Sequence, residues 1–142
     1  MPPKTRFTAE RILDAALVLT REQGVDAVTA RNVAAQLSCS TGPVFTHFGS
    51  MDDLLEQLMD QIIARFVAYA RATEHVDPLV AAGLGWLRFA SDEPRFYEAL
   101  FLRHHGWHDK WGPVRRELAD NMADHPRYCE LDARARFGLV GR

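Results

Sequence analysis

Apolar residues recur with the period of an α-helix along almost the whole chain, and this pattern constrains the fold more than any other feature. In the first segment, Ile12, Ala15, Ala16 and Leu19 follow an i, i+3, i+4, i+7 spacing, and Gly24 marks the expected stop. The alternation of β-branched residues that is typical of strands does not occur in the sequence. The pattern therefore predicts an all-α protein.

Capping residues, glycines and prolines divide this pattern into separate helices. The first is expected from its cap Thr8 to Gln23, and the second, after its cap Thr29, from Ala30 to Leu37. A break at 38–40 precedes a third short helix at 41–48. Further helices are expected at about 51–72, 78–90, 94–104 and 108–123, with a last one from about Arg127.

Length and composition exclude several classes of protein. The chain has 142 residues, 47% hydrophobic and 25% charged, which suits one or two small globular domains and not a large multidomain enzyme. It has no run of about 18 apolar residues and no amino-terminal apolar h-region, so we expect a cytoplasmic protein without a membrane span or secretory signal. Its two cysteines, Cys39 and Cys129, show no CxxC spacing, which argues against a disulfide framework and a cysteine zinc site.

The formal net charge of −2 gives little guidance on partners. Residues 1–50 carry five basic and four acidic residues, whereas residues 51–142 carry twelve and fifteen. An asymmetry this small is a weak indicator of nucleic-acid binding. The spacing of particular residues is more informative.

Residues 29–48 have the proportions of a helix-turn-helix, in which the second helix is short enough to lie in a major groove. Spacing alone leaves open a tight helical hairpin within a bundle. Cys39 is expected to fill the turn as a small apolar residue. The side chains expected to face inward are Val33, Ala34, Leu37, Val44 and Phe48, and those expected to face outward are Thr41, Gly42, Phe45 and Thr46.

Ser40 is the expected cap of the second helix of this pair. Because Pro43 has no N–H, the capping bond is expected to go to Gly42. Glycine also tolerates the restriction that proline places on the preceding residue, and it allows the backbone to approach DNA closely.

A set of spaced residues between positions 8 and about 60 carries a family resemblance. They are the run 11–16, Gly24, Val28-Thr29, Val33-Ala34, Ser40-Thr41-Gly42, Val44-Phe45, His47-Phe48 and Asp53-Leu54-Leu55. Together they resemble the amino-terminal domain of the TetR family of bacterial transcriptional regulators. The resemblance implies a three-helix DNA-binding domain at 1–50, with its recognition helix at about 41–48, and a helical effector-binding and dimerisation domain at 51–142.

The resemblance also implies which residues meet DNA. Thr29 would contact a phosphate, Arg31 a phosphate or a base edge, and Lys4 and Arg6 a neighbouring groove. The remaining expected contacts come from the turn and the recognition helix: Ser40, Thr41, Gly42, Pro43, Phe45, Thr46 and His47.

Two residues depart from the family pattern and remove ordinary phosphate contacts. Phe45 stands where the family usually has tyrosine, and Met51 where it commonly has lysine. The recognition helix also carries no Arg, Lys, Asn or Gln, so Thr41, Pro43 and Thr46 can offer bases only hydroxyl bonds and contact with thymine methyls. We therefore expect modest affinity for each half-site and a strong dependence on dimerisation.

The carboxy-terminal part is rich in aromatic residues at ordinary helix-packing spacing. One interpretation is a packed core, and the other is an apolar pocket for a small effector. The residues expected to line such a pocket are Trp86, Phe89, Phe96, Tyr97, Phe101, His104 and Trp107.

His104, His105 and His108 form an HHxxH motif whose i, i+4 pair could place two imidazoles on one metal ion, with Asp109 nearby. Gly106 interrupts the helix that such a site needs, so solvated or pocket-lining histidines are the preferred interpretation. A helical metal-binding protein or metalloenzyme is one alternative function. We expect no bound metal, no cofactor and no catalytic residues.

The sequence thus predicts a repressor, not an enzyme. The resemblance implies a homodimer that reads a near-palindromic double-stranded DNA operator and is released by a small, largely apolar effector, which changes the angle of the fourth helix. A DNA-binding protein without an effector is the other alternative. The part after residue 50 is shorter than is usual in the family, and one interpretation is a truncated chain without the helices that build the dimer interface.

Overall fold

The computed structural model describes residues 7–103, 110–123, 125–132 and 134–136. No β-strand occurs among them, so the predicted all-α class is confirmed. A short 3₁₀ turn at Val25–Ala27 follows the first helix. The α-helices are α1 (Ala9–Gln23), α2 (Ala30–Gln36), α3 (Gly42–Phe48), α4 (Met51–Arg71), α5 (Pro78–Asp92), α6 (Pro94–Phe101) and α7 (Gly112–Asn121).

The chain divides into two compact units. Met1–Ile62 with Glu93–Leu102 form the first, and Ile63–Asp92 with Arg103–Arg142 form the second. This division differs from the predicted boundary at residue 50, because the first half of α4 and the whole of α6 belong with the amino-terminal helices. The functional boundary stays a prediction.

Local sequence signals determine the limits of α1. The hydroxyl of Thr8 accepts a hydrogen bond from the backbone N–H of Arg11 at 3.3 Å, as expected for a cap. At the other end, Gly24 has φ of +91°, which a side-chain-bearing residue adopts only with strain. The core of the first unit contains side chains with no exposed area: Ile12, Ala16, Val33, Val44, Leu54, Leu58 and Ile62.

An ion pair holds α6 against α1 in this first unit. The guanidinium of Arg21 donates to both carboxylate oxygens of Glu93, from Nε at 2.9 Å and from a terminal nitrogen at 2.5 Å. It also lies 5.2 Å from the ring centroid of Phe96, which is buried. The first residues of α6 are thus bound to the last turn of α1, 72 positions earlier in the chain.

The second unit contains the end of α4, α5 and α7. Phe66 lies at its centre, with its ring centroid 5.3 Å from that of Phe89 and 5.2 Å from that of Trp111. Gly85 allows α5 to approach α4 closely, because a Cβ added there would lie 2.6 Å from the Cα of Ala70. Backbone contact between the two helices therefore depends on the absence of a side chain at this position.

Several predicted boundaries in the carboxy-terminal part are wrong. Helix α6 ends at Phe101, and α7 begins at Gly112, where proline at the next residue suits a first turn. The helix predicted from about Arg127 begins later than expected: residues 125–131 make turns and bends, with the N–H of Tyr128 donating to the carbonyl of His125 at 2.9 Å, and residues 134–136 are helical. Tyr128 and Arg127 instead direct their side chains to a buried carboxylate, described below.

Within the described part of the chain, no helix combines the length and the apolar character needed to cross a bilayer.

Candidate functional site

Thr29 starts the helix-turn-helix, as predicted. Its hydroxyl accepts a hydrogen bond from the N–H of Asn32 at 3.1 Å, and the Asn32 side chain donates to the carbonyl of Ala27 at 2.8 Å. A hydroxyl that accepts this bond can still donate its own hydrogen. Thr29 therefore combines a structural role with a donor that stays available at the surface.

The turn between α2 and α3 is closed by backbone bonds from Ser38 and Cys39. The N–H of Ser38 donates to Ala35 at 3.1 Å and that of Cys39 to Ala34 at 2.9 Å. Ser38 has φ of +54°, a left-handed conformation that is uncommon for a residue with a side chain. Cys39 is half-buried, which agrees with its expected place in the turn.

The predicted cap of the recognition helix is wrong. Thr41, not Ser40, occupies the N-cap position of α3, and its side chain makes no capping hydrogen bond. The backbone of Thr41 is already helical, with φ of −71° and ψ of −14°, whereas a capping side chain needs an extended backbone. Proline in the first turn reduces the need for a cap because it has no N–H.

Helix α3 has one buried face and one exposed face, as its spacing predicts. Val44 and Phe48 are almost completely buried, whereas Phe45 is 47% exposed. Thr41, Gly42, Thr46 and His47 are also exposed, and Pro43 is half-buried. The buried pair anchors the helix and leaves a continuous row of small and apolar groups at the surface.

Thr46 and His47 each make a hydrogen bond within the protein. The hydroxyl of Thr46 donates to the carbonyl of Gly42 at 2.9 Å. The Nε2 atom of His47 lies 2.6 Å from the carbonyl oxygen of Phe7, and because a carbonyl only accepts, Nε2 carries the hydrogen. His47, a residue expected to contact DNA, thus also holds the segment before α1.

The junction between α3 and α4 is fixed by a capping arrangement. Gly49 has φ of +59°, and Ser50 accepts a hydrogen bond from the N–H of Asp53 at 3.1 Å. The hydroxyl of Ser50 also donates to the Asp53 carboxylate at 2.8 Å. These local bonds set where α4 begins relative to the recognition helix.

Of the other predicted DNA contacts, the structure describes two and leaves two outside the described residues. Arg31 and Ser40 are exposed at the surface of the first unit. Lys4 and Arg6 lie outside the described residues. All eleven contacts stay predictions.

The second unit contains a cavity of about 420 Å³ between α4, α5 and α7. This volume lies within the range of small-molecule sites. Most of its lining is apolar or aromatic, with polar groups contributed by a few side chains. The lining residues are Phe66, Val67, Ala70, Arg71, His75, Pro78, Leu79, Ala81, Ala82, Gly83, Trp86, Trp111, Val114, Arg115, Glu117, Leu118 and Asn121.

Of the residues predicted to share one pocket, Trp86 lines this cavity. Phe89 is fully buried in the same unit and does not belong to the lining. Phe96, Tyr97 and Phe101 do not line it and belong to the first unit, where α6 packs on α1, so their place in an effector pocket stays a prediction. His104 and Trp107 lie outside the described residues.

Sequence reasoning missed most of the lining, including the pair Arg71 and Glu117. Arg71 donates through Nε to the Oε1 atom of Glu117 at 3.0 Å, and a terminal nitrogen of the same guanidinium contacts that oxygen as well. A run of small residues on α5, from Ala81 to Gly83, was the available signal, since small residues leave space between helices. The periodicity that marks a core does not distinguish it from the wall of a cavity.

A buried carboxylate lies beside the cavity at the start of α5. Asp77 is 6% exposed and accepts bonds from the N–H of Leu79 at 3.0 Å, from the Tyr128 hydroxyl at 2.9 Å and from Arg127 at 3.1 Å. Burial raises the pKa of Asp77, but bonds from Tyr128, the N–H groups of Val80 and Leu79, and Arg127 outweigh it, so the pKa lies below its usual value. Burial and the bond to Asp77 raise the pKa of the Tyr128 phenol.

No group of three or more His, Cys, Asp or Glu side chains suited to a metal ion occurs in the part of the chain that the structure describes. His104, His105 and His108 lie outside that part, so the metal-binding alternative is untested.

Comparison with known proteins agrees with the geometry of the first unit. The family model of bacterial regulatory proteins of the tetR family matches residues 12–58. The class D tetracycline repressor of Escherichia coli is 30% identical over 99 residues, which make up 70% of this chain and 42% of that protein. An HTH-type transcriptional repressor of Mycobacterium tuberculosis is 37% identical over 62 residues, 44% of this chain and 33% of the relative.

The chain thus spans less than half the length of the curated relatives that it matches. The matched residues include α2, the turn and α3, together with the capped start of α4. These relatives are named as regulators and repressors. The amino-terminal part of the chain, residues 12–58, belongs to the TetR family of bacterial regulatory proteins.

Proposed function

We propose that this chain is a DNA-binding transcriptional repressor that places α3 in a major groove. One observation carries the proposal: α3 is anchored by Val44 and Phe48 and presents an exposed row of side chains on its opposite face. A helix of seven residues held in this way can enter a groove without disturbing the core behind it.

The exposed groups suit apolar contact with bases. Thr41 and Thr46 carry methyl groups, and Pro43 and Phe45 have no polar side-chain atom, so thymine methyls are natural partners. Because Thr46 donates its hydrogen to Gly42, its hydroxyl can only accept from a base, for example from an adenine or cytosine amino group.

Contacts with the phosphate backbone would come from residues around this helix. Thr29 retains a hydroxyl donor and Arg31 is an exposed cation on α2. Lys4 and Arg6 would add positive charge from the amino-terminal arm. Such contacts supply affinity and orientation, while α3 supplies sequence preference.

The proposed regulator acts as a homodimer on a near-palindromic operator. Two recognition helices can read successive major grooves when they are about 34 Å apart. A small, largely apolar effector bound between α4, α5 and α7 would change the direction of α4 and favour a spacing that does not fit DNA. Support for the effector site comes from the volume and lining of the cavity.

Selection of bound duplexes from a random-sequence pool tests the proposal and identifies the operator. We expect a near-palindromic consensus, with affinity that falls steeply as salt concentration rises. The double variant Thr41→Ala/Thr46→Ala should lose preference for the consensus, whereas Gln57→Ala, an exposed change on α4, should not.

Fluorescence anisotropy of the selected duplex and a scrambled duplex provides the measurement. Equal affinity for the two duplexes in a dimeric sample of the parent chain would refute the proposed function.

A further inference from the structure

We infer that the cavity between α4, α5 and α7 selects a flat aromatic carboxylic acid. The inference rests on the proposed function, since it specifies the effector of a site that is itself proposed. It depends on three features of the described lining: the aromatic wall, the charges and the space beside Gly83.

Aromatic rings form one wall of the cavity. The ring of Phe66 packs against two indoles, with its centroid 5.7 Å from that of Trp86 and 5.2 Å from that of Trp111. Trp86 is 45% exposed, so part of its ring is open to a ligand. A planar aromatic body can stack on or pack edge-on against these rings.

Small residues of α4 and α5 also line the cavity. They are Ala70, Ala81, Ala82 and Gly83. At Gly83, an added Cβ would meet no atom within 4 Å, so the space there is open. Small side chains beside large rings leave room for a flat molecule more readily than for a branched one.

The charged side chains of the described lining favour an anion. They are Arg71, Arg115 and Glu117, two cations against one anion. Guanidinium groups bind carboxylates with two parallel hydrogen bonds, a geometry that an ammonium group does not offer. A ligand carboxylate therefore finds complementary groups in the same lining that supplies the aromatic rings.

The bond between Arg71 and Glu117 can be exchanged at little energetic cost. Both side chains are open to solvent, at 66% and 44% exposure, and exposed ion pairs contribute little to stability. Arg71 contacts one oxygen, Oε1, of Glu117. A ligand carboxylate can replace Glu117 on Arg71, so Glu117 acts as an internal competitor for an acidic ligand.

Three probes of one shape test the charge preference by isothermal titration calorimetry. They are 2-naphthoate, its neutral analogue 2-naphthamide and the cation 2-naphthylmethylammonium. We expect the parent chain to bind naphthoate about a hundredfold more tightly than the amide, about tenfold from each of the two arginines, and the cation most weakly. Equal binding of acid and amide, tighter binding of the cation, or no binding of any probe overturns the inference.

Charge variants test whether the charged lining residues recognise the ligand carboxylate. Arg71→Gln and Arg115→Gln should each weaken naphthoate about tenfold and leave the amide unchanged. Glu117→Gln should tighten naphthoate, because the competitor loses its charge. Circular dichroism checks that each variant is folded. Parallel loss of acid and amide binding in folded Arg71→Gln and Arg115→Gln would show that neither arginine recognises the carboxylate.

A variant that fills the cavity tests whether the probes bind there. Gly83→Phe directs a ring into the open space and should abolish binding of both naphthoate and naphthamide, whereas Gly83→Ala should retain both. If Gly83→Phe binds the acid like the parent, the probe lies elsewhere and the inference fails.

The same samples separate this inference from the proposed function. The parent chain on its selected duplex should release DNA when naphthoate is added. If naphthoate binds with the expected charge preference and DNA affinity does not change, the ligand class stands and the effector role fails. If the duplex is bound and none of the probes binds, the DNA-binding function stands and the ligand class fails.

Discussion

The hydroxyl group of Thr46 already makes a hydrogen bond to the helix backbone, which limits what it can offer to the proposed operator. Its hydrogen is donated to Gly42, which leaves the methyl group and an acceptor for DNA. We predict that Thr46→Val binds the selected duplex like the parent, because it keeps the methyl group. Thr46→Ala should weaken binding about thirtyfold over two half-sites, since each lost base contact costs about 1 kcal/mol.

Anisotropy titrations of these variants on the selected duplex decide which atom matters. Equal losses in Thr46→Val and Thr46→Ala would assign the contact to the hydroxyl and contradict the prediction.

His47 offers a second test at the scale of a single side chain. Its Nε2–H donates to Phe7, so we predict that His47→Leu lowers the melting temperature without DNA, whereas His47→Gln, which retains a donor, lowers it less. The salt dependence of DNA affinity tests the predicted DNA contact of His47 separately. A slope smaller by about one unit in His47→Leu would support a direct phosphate contact, and an unchanged slope would show a structural role alone.

These residues also show what periodicity can resolve. The inward and outward positions of α3 follow from a spacing of four residues, and the structure agrees. The cap at Ser40 was wrong because capping depends on a backbone dihedral, and the sequence does not reveal that Thr41 is already helical. The bond from His47 to Phe7 joins residues 40 positions apart, which no local pattern contains.

At the scale of elements, α5 depends on the carboxylate at its start. Because the pKa of Asp77 is below its usual value of 3.8 in the folded state, its stabilisation is complete above that value and is lost as pH falls through the folded pKa. We predict that the parent loses more stability than Asp77→Asn between pH 7 and strongly acidic pH. The control Asp92→Asn, at the exposed end of the same helix, should follow the parent.

Urea unfolding followed by circular dichroism gives the comparison. If the parent and Asp77→Asn lose equal stability on acidification, the carboxylate does not make the proposed contribution.

Two glycines of α5 provide a matched pair. We predict that Gly85→Ala destabilises the chain by about 1–3 kcal/mol, since its Cβ would meet the backbone of α4. Gly83→Ala should be neutral or stabilising by about 0.5–1 kcal/mol, because its Cβ meets no atom and alanine favours a helix. Equal effects of the two substitutions in chemical denaturation would contradict the close approach at Gly85.

At the scale of the whole chain, Arg21 and Glu93 hold α6 to the first unit. We predict a coupling free energy of about 0.5–1 kcal/mol between them in a double-mutant cycle of Arg21→Gln and Glu93→Gln. The pair is bidentate, and Glu93 is only 15% exposed, so the coupling should lie at the upper end of that range. A coupling of zero in equilibrium unfolding would show that apolar packing alone holds α6.

The packing of α6 on α1 explains why Phe96, Tyr97 and Phe101 do not line the cavity. Their spacing is that of a helix with an apolar face, and spacing does not identify the helix against which that face packs. The cavity instead arises where Gly85 brings α4 and α5 together beside α7.

The sequence by itself determined the all-α class, the limits of α1 to α4 to within one residue, and the buried and exposed faces of α3. These follow from helical period, capping residues and turn residues, which act over a few positions. The tertiary structure alone decided which unit α6 joins, which side chains line the cavity, and how Asp77 holds Tyr128 and Arg127. Such features depend on contacts between residues far apart in the chain, and a local sequence pattern does not determine which distant residue a side chain contacts.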